Sequence, residues 1–203
     1  MVIFTFILDN KNNIKTISDT TTSSMAKFVT EKVDNSFLEM RLVEPGDYYK
    51  DYFLLLSDLS DIDPTKINLQ QFSRYIDNMH INYKQVWVIE DTRYKKIVCS
   101  MTILFEDKLI HTMSKVCHIE DLVVHHSVRR YGLGRAMMDH ALQMAKEYDC
   151  YKMTLYCKDD LIPFYEKCNL QKKGVEMAMY LADLPPAEPT DDITIDESSD
   201  KTA

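Results

Sequence analysis

No C-x-x-C pair occurs in this sequence, and its cysteines, Cys99, Cys117, Cys150, Cys157 and Cys168, are odd in number. Neither a zinc ribbon nor a closed disulfide framework fits that pattern, so a reducing compartment, the cytoplasm, is expected. The six histidines lack metal-ligand spacing, and no metal is expected. There is no basic surplus either. A net charge of −8 and a pI near 5.2 exclude a general nucleic-acid binder, whose phosphate contacts need a broad basic face. The same acidity tolerates a cationic acceptor such as a polyamine or a basic peptide. Long apolar runs are missing as well. Met1 to Leu8 has no basic residue before it and is too short for a signal core or a membrane span, so it reads as a strand and no membrane association is expected. No internal repeat is visible.

What is present suits one globular domain with appendages: 203 residues, 45% hydrophobic and 28% charged. Residues 1–36 read as an extension, with residues 2 to 8 and Ile14 to Ile17 as a hairpin around Asp9 to Asn13, then a Thr/Ser linker at Thr20 to Ser24. The main domain is expected over 37–184. Phe37 to Val43 alternates like a half-buried strand, and Pro45-Gly-Asp47 opens a helix through Tyr48, Tyr52, Phe53 and Leu56. Asn68 to Ile81 carries Leu69, Phe72, Tyr75, Ile76 and Met79 on one helical face. Strands follow at Val86 to Glu90, Ile97 to Phe105 and Val116 to His125, forming an antiparallel meander. A helix then buries Met137, Met138, Ala141, Leu142 and Ala145, and Tyr151 to Cys157 is a strand that the crossover rule makes parallel to its predecessor. Asp160 to Cys168 is a short helix with Pro163 in its first turn, and Gly174 to Leu181 reads as a last strand. Residues 185–203 are acidic and proline-rich, which predicts a disordered tail.

One stretch organises the rest. His118-Ile-Glu-Asp-Leu-Val-Val124 runs as an apolar strand into Arg129-Arg-Tyr-Gly-Leu-Gly-Arg135 at the start of the long helix. Gly132 and Gly134 let backbone approach a ligand, the first helical turn gathers free N–H groups, and Arg129, Arg130 and Arg135 add positive charge. A Walker loop would need Gly-Lys-Ser/Thr where Gly134-Arg135-Ala136 stands, and a dinucleotide fingerprint would need glycine at Met137. From the residues alone, the loop is either a phosphate cradle or a glycine-bearing turn with solvated arginines.

The Arg129-x-x-Gly132-x-Gly134 loop after a strand resembles the pyrophosphate loop of the GNAT superfamily of acetyltransferases. More narrowly, His118 to Val124, Cys150-Tyr-Lys152, Phe164-Tyr-Glu-Lys-Cys168, Gly174-Val-Glu-Met177 and Lys108-Leu-Ile-His111 resemble runs of the glucosamine 6-phosphate N-acetyltransferases, over roughly Phe37 to Leu181. The resemblance implies an α/β fold with a mixed, mostly antiparallel sheet, flanking helices and a splayed parallel strand pair. It implies acetyl-CoA as donor, an amino-sugar phosphate as acceptor, a homodimer, and a place in UDP-N-acetylglucosamine synthesis. By the same resemblance, Leu122, Val123 and Val124 would pair with the pantetheine arm, and Arg129, Arg130, Tyr131, Gly132, Leu133, Gly134 and Arg135 would wrap the pyrophosphate. Lys108, Leu109, Ile110, His111, Glu120, Asp121, Leu122, Tyr151 and Lys152 would border the acceptor, with Ser60 a looser match.

Chemistry agrees with those implied roles. An amine must be neutral to attack a thioester, so Glu120 or Asp121 is the candidate proton acceptor, and Tyr165 is the family's candidate acid for the leaving thiolate. The sequence departs from the family at Tyr156, where an acidic residue contacts the amino sugar, at Leu161, a frequent asparagine, and at Tyr180, a phosphate-binding arginine. Those departures bear on the acceptor, so another amine acceptor and a non-catalytic acyl-CoA-binding module stay open as alternatives. Lys108, Lys152 or Lys172-Lys173 are then the candidate phosphate partners.

Overall fold

The computed structural model describes residues 6–8, 14–16, 35–79 and 83–180. The chain divides into two units, Met1–Lys172 and Lys173–Ala203. The expected linker at Thr20 to Ser24 and the expected tail 185–203 lie outside the described residues. No helix among the described residues is long and apolar enough to cross a membrane.

The first unit is built on a seven-stranded sheet of order β2-β1-β3-β4-β5-β6-β7. The strands are β1 Phe6–Leu8, β2 Ile14–Thr16, β3 Leu38–Leu42, β4 Lys84–Asp91, β5 Lys96–Asp107, β6 Lys115–Val124 and β7 Cys150–Leu155. β1 and β2 form the expected hairpin, and β1 also pairs with β3, so the N-terminal hairpin extends the sheet. Every neighbouring pair is antiparallel except β6 and β7, which are parallel and joined by helix α3, Leu133–Glu147. That is the crossover expected from a strand, helix, strand order.

Strand alternation sends side chains to two cores. Trp87, Ile89, Met101, Ile103, Cys117 and Ile119 pack with Met137, Met138 and Ala141 of α3. Val86, Val88 and Ile97 pack on the other face with α1 Tyr52–Leu56 and α2 Leu69–Met79, through Tyr52, Phe53, Phe72 and Ile76. Each fully buried side chain of this size stabilises the fold by roughly 1.5–3 kcal/mol. His140 of α3 is fully buried against the Trp87 ring, at a centroid distance of 4.0 Å.

Two elements differ from expectation. The helix expected from Pro45 through Leu56 is broken: a 3-10 segment Pro45–Tyr49 ends at Lys50, Asp51 takes a left-handed φ of 57°, and α1 starts afterwards. The cause is tertiary, because the Lys50 carbonyl accepts a hydrogen bond from the Ile97 amide at 2.9 Å and so cannot continue a helix. A buried ion network ties this segment down. Arg41 donates to both carboxylate oxygens of Asp47 at 2.8 and 2.6 Å and to Glu90 at 2.5 Å, while Lys50 reaches Glu90 at 2.8 Å. Asp47 is completely buried.

The second difference concerns Gly174 to Leu181. Residues 174–180 form no strand; Gly174 has φ +64°, and Val175 and Met177 are almost fully exposed. Alternation marks a strand only where a neighbouring strand pairs with it, and among the described residues no ladder includes 174–180. Leu181 lies outside the described residues.

Candidate active site

The site grows from the divergence of β6 and β7. Their pairing runs from Lys115↔Cys150 to Ile119↔Leu155 and stops there, whereas β6 continues to Val124. Along Glu120 to Val124, β6 keeps its ladder to β5 but no longer pairs with β7, and the Val124 carbonyl accepts the Arg129 side chain at 3.0 Å. This edge is therefore not claimed by a strand, and an extended guest can approach its main chain.

A bulge sits in the same segment. Ser100 pairs with Val123 and Thr102 with Glu120, so Asp121 and Leu122 together oppose Met101. Asp121 takes a left-handed φ of 54°. The extra residue shifts the alternation: Cys117 and Ile119 face the α3 core before it, whereas Leu122 and Val124 do so after it and Val123 joins the opposite core. The result presents half-buried Glu120 and exposed Asp121 side by side where the strands part. No sequence signal marks this bulge, and it is the main feature of the site that sequence reading misses.

Beyond Val124 lies a 3-10 turn, His126–Val128, then the glycine loop. Gly132 caps α3 with φ 80°, a conformation that favours glycine. The Ala136 amide closes the first intrahelical bond, onto the Gly132 carbonyl. The amides of Leu133, Gly134 and Arg135 precede it and have no intrahelical acceptor, which makes an anion cradle at the positive end of the helix. A Cβ on Gly134 would lie 3.2 Å from Phe164 and 3.5 Å from Val124, so glycine lets the helix start pack against both.

The side chains of the loop are less uniform than the motif. Leu133 is buried, so its main chain alone is available, whereas Tyr131 and Arg130 are exposed, Arg130 with φ 77°. Arg135 turns away from the loop, donating to Asp139 at 2.9 Å and to the Lys167 carbonyl. Arg129 donates to the Val124 carbonyl at 3.0 Å and lies 3.6 Å from Asp58.

Tyr165 lies in α4, Ile162–Lys167, just after β7, with Pro163 in the first turn as expected. Burial, with Cys157 and Cys168 adding to it, pushes its hydroxyl up to about 12, so it keeps its proton at neutral pH. Its ring meets Phe164 edge-on at 4.9 Å, and Phe164 touches the Gly134 position, which places Tyr165 beside the cradle.

Two of the expected acceptor residues, His111 and Tyr151, meet from different parts of the chain. Between β5 and β6 the chain makes a left-handed turn in which His111, Thr112 and Met113 have φ of 56, 61 and 58°. Such a run costs roughly 1–2 kcal/mol per residue. The turn is closed by the Lys108 amide on the Ser114 carbonyl and lays the His111 ring on Tyr151 at 4.2 Å. His111 thereby meets Tyr151, the neighbour of Lys152. Leu109 and Ile110 are exposed, and the Lys152 ammonium lies 5.6 Å from the Tyr151 ring centre. Lys108 itself pairs with Glu106, whose other oxygen lies 2.8 Å from His118 Nε2; these partners hold the Glu106 carboxyl below its usual range. Lys172 pairs with Asp159. Ser60 is exposed on the turn after α1.

A separate cavity of about 330 Å³ borders the loop at His125, Ser127 and Val128, but its other walls come from the β4–β5 turn and α1, including Asp51, Arg93 and Lys96. Glu120, Asp121 and Tyr165 do not line this cavity.

Comparison with known proteins adds to this geometry. The profile of the acetyltransferase (GNAT) family matches residues 52–170. The chain is 30% identical to glucosamine 6-phosphate N-acetyltransferase 1 of Dictyostelium discoideum over 148 residues, 73% of this chain and 94% of that protein. It is 32% identical to glucosamine 6-phosphate N-acetyltransferase of Candida albicans over 143 residues, 70% of this chain and 93% of that one. The crystal structure of glucosamine-6-phosphate N-acetyltransferase from Arabidopsis thaliana superposes with a TM-score of 0.68 at 27% identity, covering 71% of this chain and 98% of that one.

Proposed function

The chain belongs to the acetyltransferase (GNAT) family, and from that premise we propose that it transfers the acetyl group of acetyl-CoA to the amine of D-glucosamine 6-phosphate. The product is N-acetyl-D-glucosamine 6-phosphate, which feeds UDP-N-acetylglucosamine synthesis. One observation carries this reading: a bulged strand that parts from its parallel neighbour leads from a pair of carboxylates toward an anion cradle. Acetyl-CoA fits that line, with its amide-bearing arm along Leu122, Val123 and Val124 and its pyrophosphate on the amides of residues 132–135. The names of the relatives support the acceptor.

Glu120 or Asp121 takes the proton of the incoming ammonium, directly or through water, and the freed amine attacks the thioester carbonyl. A main-chain N–H at the bulge stabilises the oxyanion that forms. As the C–S bond breaks, the Tyr165 hydroxyl donates a hydrogen bond to the leaving thiolate, and the second proton of the attacking nitrogen passes to that thiolate through solvent, giving the amide and the free thiol. Lys108 and Lys152, beside the His111–Tyr151 stack, draw the sugar phosphate. No acyl-cysteine step is required, since burial raises the thiols of Cys99, Cys117 and Cys168 away from the nucleophilic thiolate.

A homodimer belongs to the proposal. Among the described residues β7 is an edge strand, which a second copy has room to cover. The cysteines are all free thiols, which suits the cytoplasm.

Thiol release from acetyl-CoA, measured in parallel with glucosamine 6-phosphate, unphosphorylated glucosamine and spermidine, tests the assignment. The phosphorylated sugar is expected to give the highest kcat/KM. Release with spermidine alone would replace the acceptor, and coenzyme binding without release would support the binding-module alternative.

A further inference from the structure

Asp58 ends the turn after α1, two residues before Ser60, and its carboxylate faces the loop that follows β6. Its side chain is 29% exposed and lies 3.6 Å from Arg129 and 3.7 Å from His126. The turn that carries it is closed by the Asp58 amide on the Leu55 carbonyl and the Leu59 and Ser60 amides on the Leu56 carbonyl. Asp58 and Ser60 therefore belong to one short hydrogen-bonded turn. Arg129 is anchored at its other end by its bond to the Val124 carbonyl, on the strand edge assigned to the pantetheine arm.

We propose that Asp58 is a positioning residue: in the free protein it occupies the cationic side of the anion loop as an internal counter-ion, and the coenzyme pyrophosphate displaces it from Arg129. The inference rests on the assignment of the pyrophosphate to this loop. A pyrophosphate carries more negative charge than one carboxylate and also meets the helix amides, so it competes successfully for Arg129. The ion pairs around Asp58 are weak enough to give way, because Arg129 and His126 are more than half exposed and screened by solvent. Once displaced, Asp58 frees the turn that carries Ser60 toward the acceptor. The coenzyme and the acceptor are thereby coupled through the Asp58–Arg129 contact, which is broken in the final complex. Sequence reading gives no hint of it, since Asp58 is separated from Arg129 by 71 positions and matches no motif.

Calorimetric titration of the full-length chain with coenzyme A tests the proposal, with and without glucosamine 6-phosphate, for wild type, Asp58→Asn, Asp58→Glu and Gly134→Trp. At low salt Asp58→Asn is expected to bind coenzyme A about two- to tenfold more tightly than wild type, because no internal carboxylate competes. The gain shrinks as salt is raised, and Asp58→Glu returns toward the wild-type value. Wild type is expected to bind glucosamine 6-phosphate more tightly in the presence of coenzyme A than in its absence, and Asp58→Asn to lose that difference. Unchanged or weaker coenzyme binding by Asp58→Asn, with Gly134→Trp abolishing it, would overturn the counter-ion role and leave the loop assignment standing. Normal binding by Gly134→Trp would overturn the loop assignment itself, and the counter-ion role with it.

Discussion

Replacing Tyr165 with phenylalanine tests the chemistry with a single oxygen atom. The ring keeps its edge-on contact with Phe164, so packing of α4 survives and only the hydroxyl is lost. Burial holds that hydroxyl at about 12, whereas an ordinary thiol such as that of coenzyme A titrates near 8.5, so the tyrosine is the weaker acid by roughly three powers of ten. It therefore keeps its proton until the C–S bond is largely broken and acts mainly as a hydrogen-bond donor to the developing thiolate. That places its effect at the low end of general acid catalysis, about 100-fold in kcat, near 2.7 kcal/mol. Binding changes little, so the KM for acetyl-CoA is expected to stay within about twofold. Thiol release at saturating substrates, followed over roughly pH 6 to 10, reads both parameters. The variant profile is expected to keep the wild-type shape at lower amplitude, since the hydroxyl stays protonated throughout. A rate within about twofold of wild type would remove the acid role, and a wild-type alkaline limb that disappears in the variant would show the hydroxyl ionising far below its assigned range.

Three further outcomes follow from the same geometry. Gly134→Trp fills the space against Phe164 and Val124 and is expected to weaken coenzyme binding by at least about 100-fold, about 2.7 kcal/mol, by calorimetry. Arg41→Met strips the buried Asp47 and Glu90 carboxylates of their shared partner; denaturant unfolding should register a loss of about 3–5 kcal/mol, and a value under about 1 kcal/mol would mean that Lys50 compensates. His140 is fully buried, and burial lowers its pKa from 6.5 to about 4, so the fold holds the neutral ring. Its contribution is complete above pH 6.5 and lost as pH falls toward 4, by roughly 3 kcal/mol. His140→Met should flatten stability over that interval, and an unchanged pH slope would show that other groups set it.

The sequence by itself determined the order of elements and marked the loop proposed for the donor. Periods of two and of 3.6 residues reflect which side chains must leave water, so the strands from Leu38 to Leu155 and helix α3 could be read directly, and the glycines at 132 and 134 announced a helix start open to an anion. Local rules also placed Pro163 in the first turn of α4 and Tyr165 just inside it. Tertiary structure decided what depends on a distant partner. The Lys50 carbonyl is claimed by Ile97, which breaks a helix that local preference would have continued. The bulge at Asp121 needs the register of β5 to exist at all, and residues 174–180 alternate correctly yet form no strand because a ladder requires a neighbour. The meeting of His111 with Tyr151, and of Asp58 with Arg129, belongs to the same class: each joins residues remote in the chain, and only the folded backbone sets the distance between them.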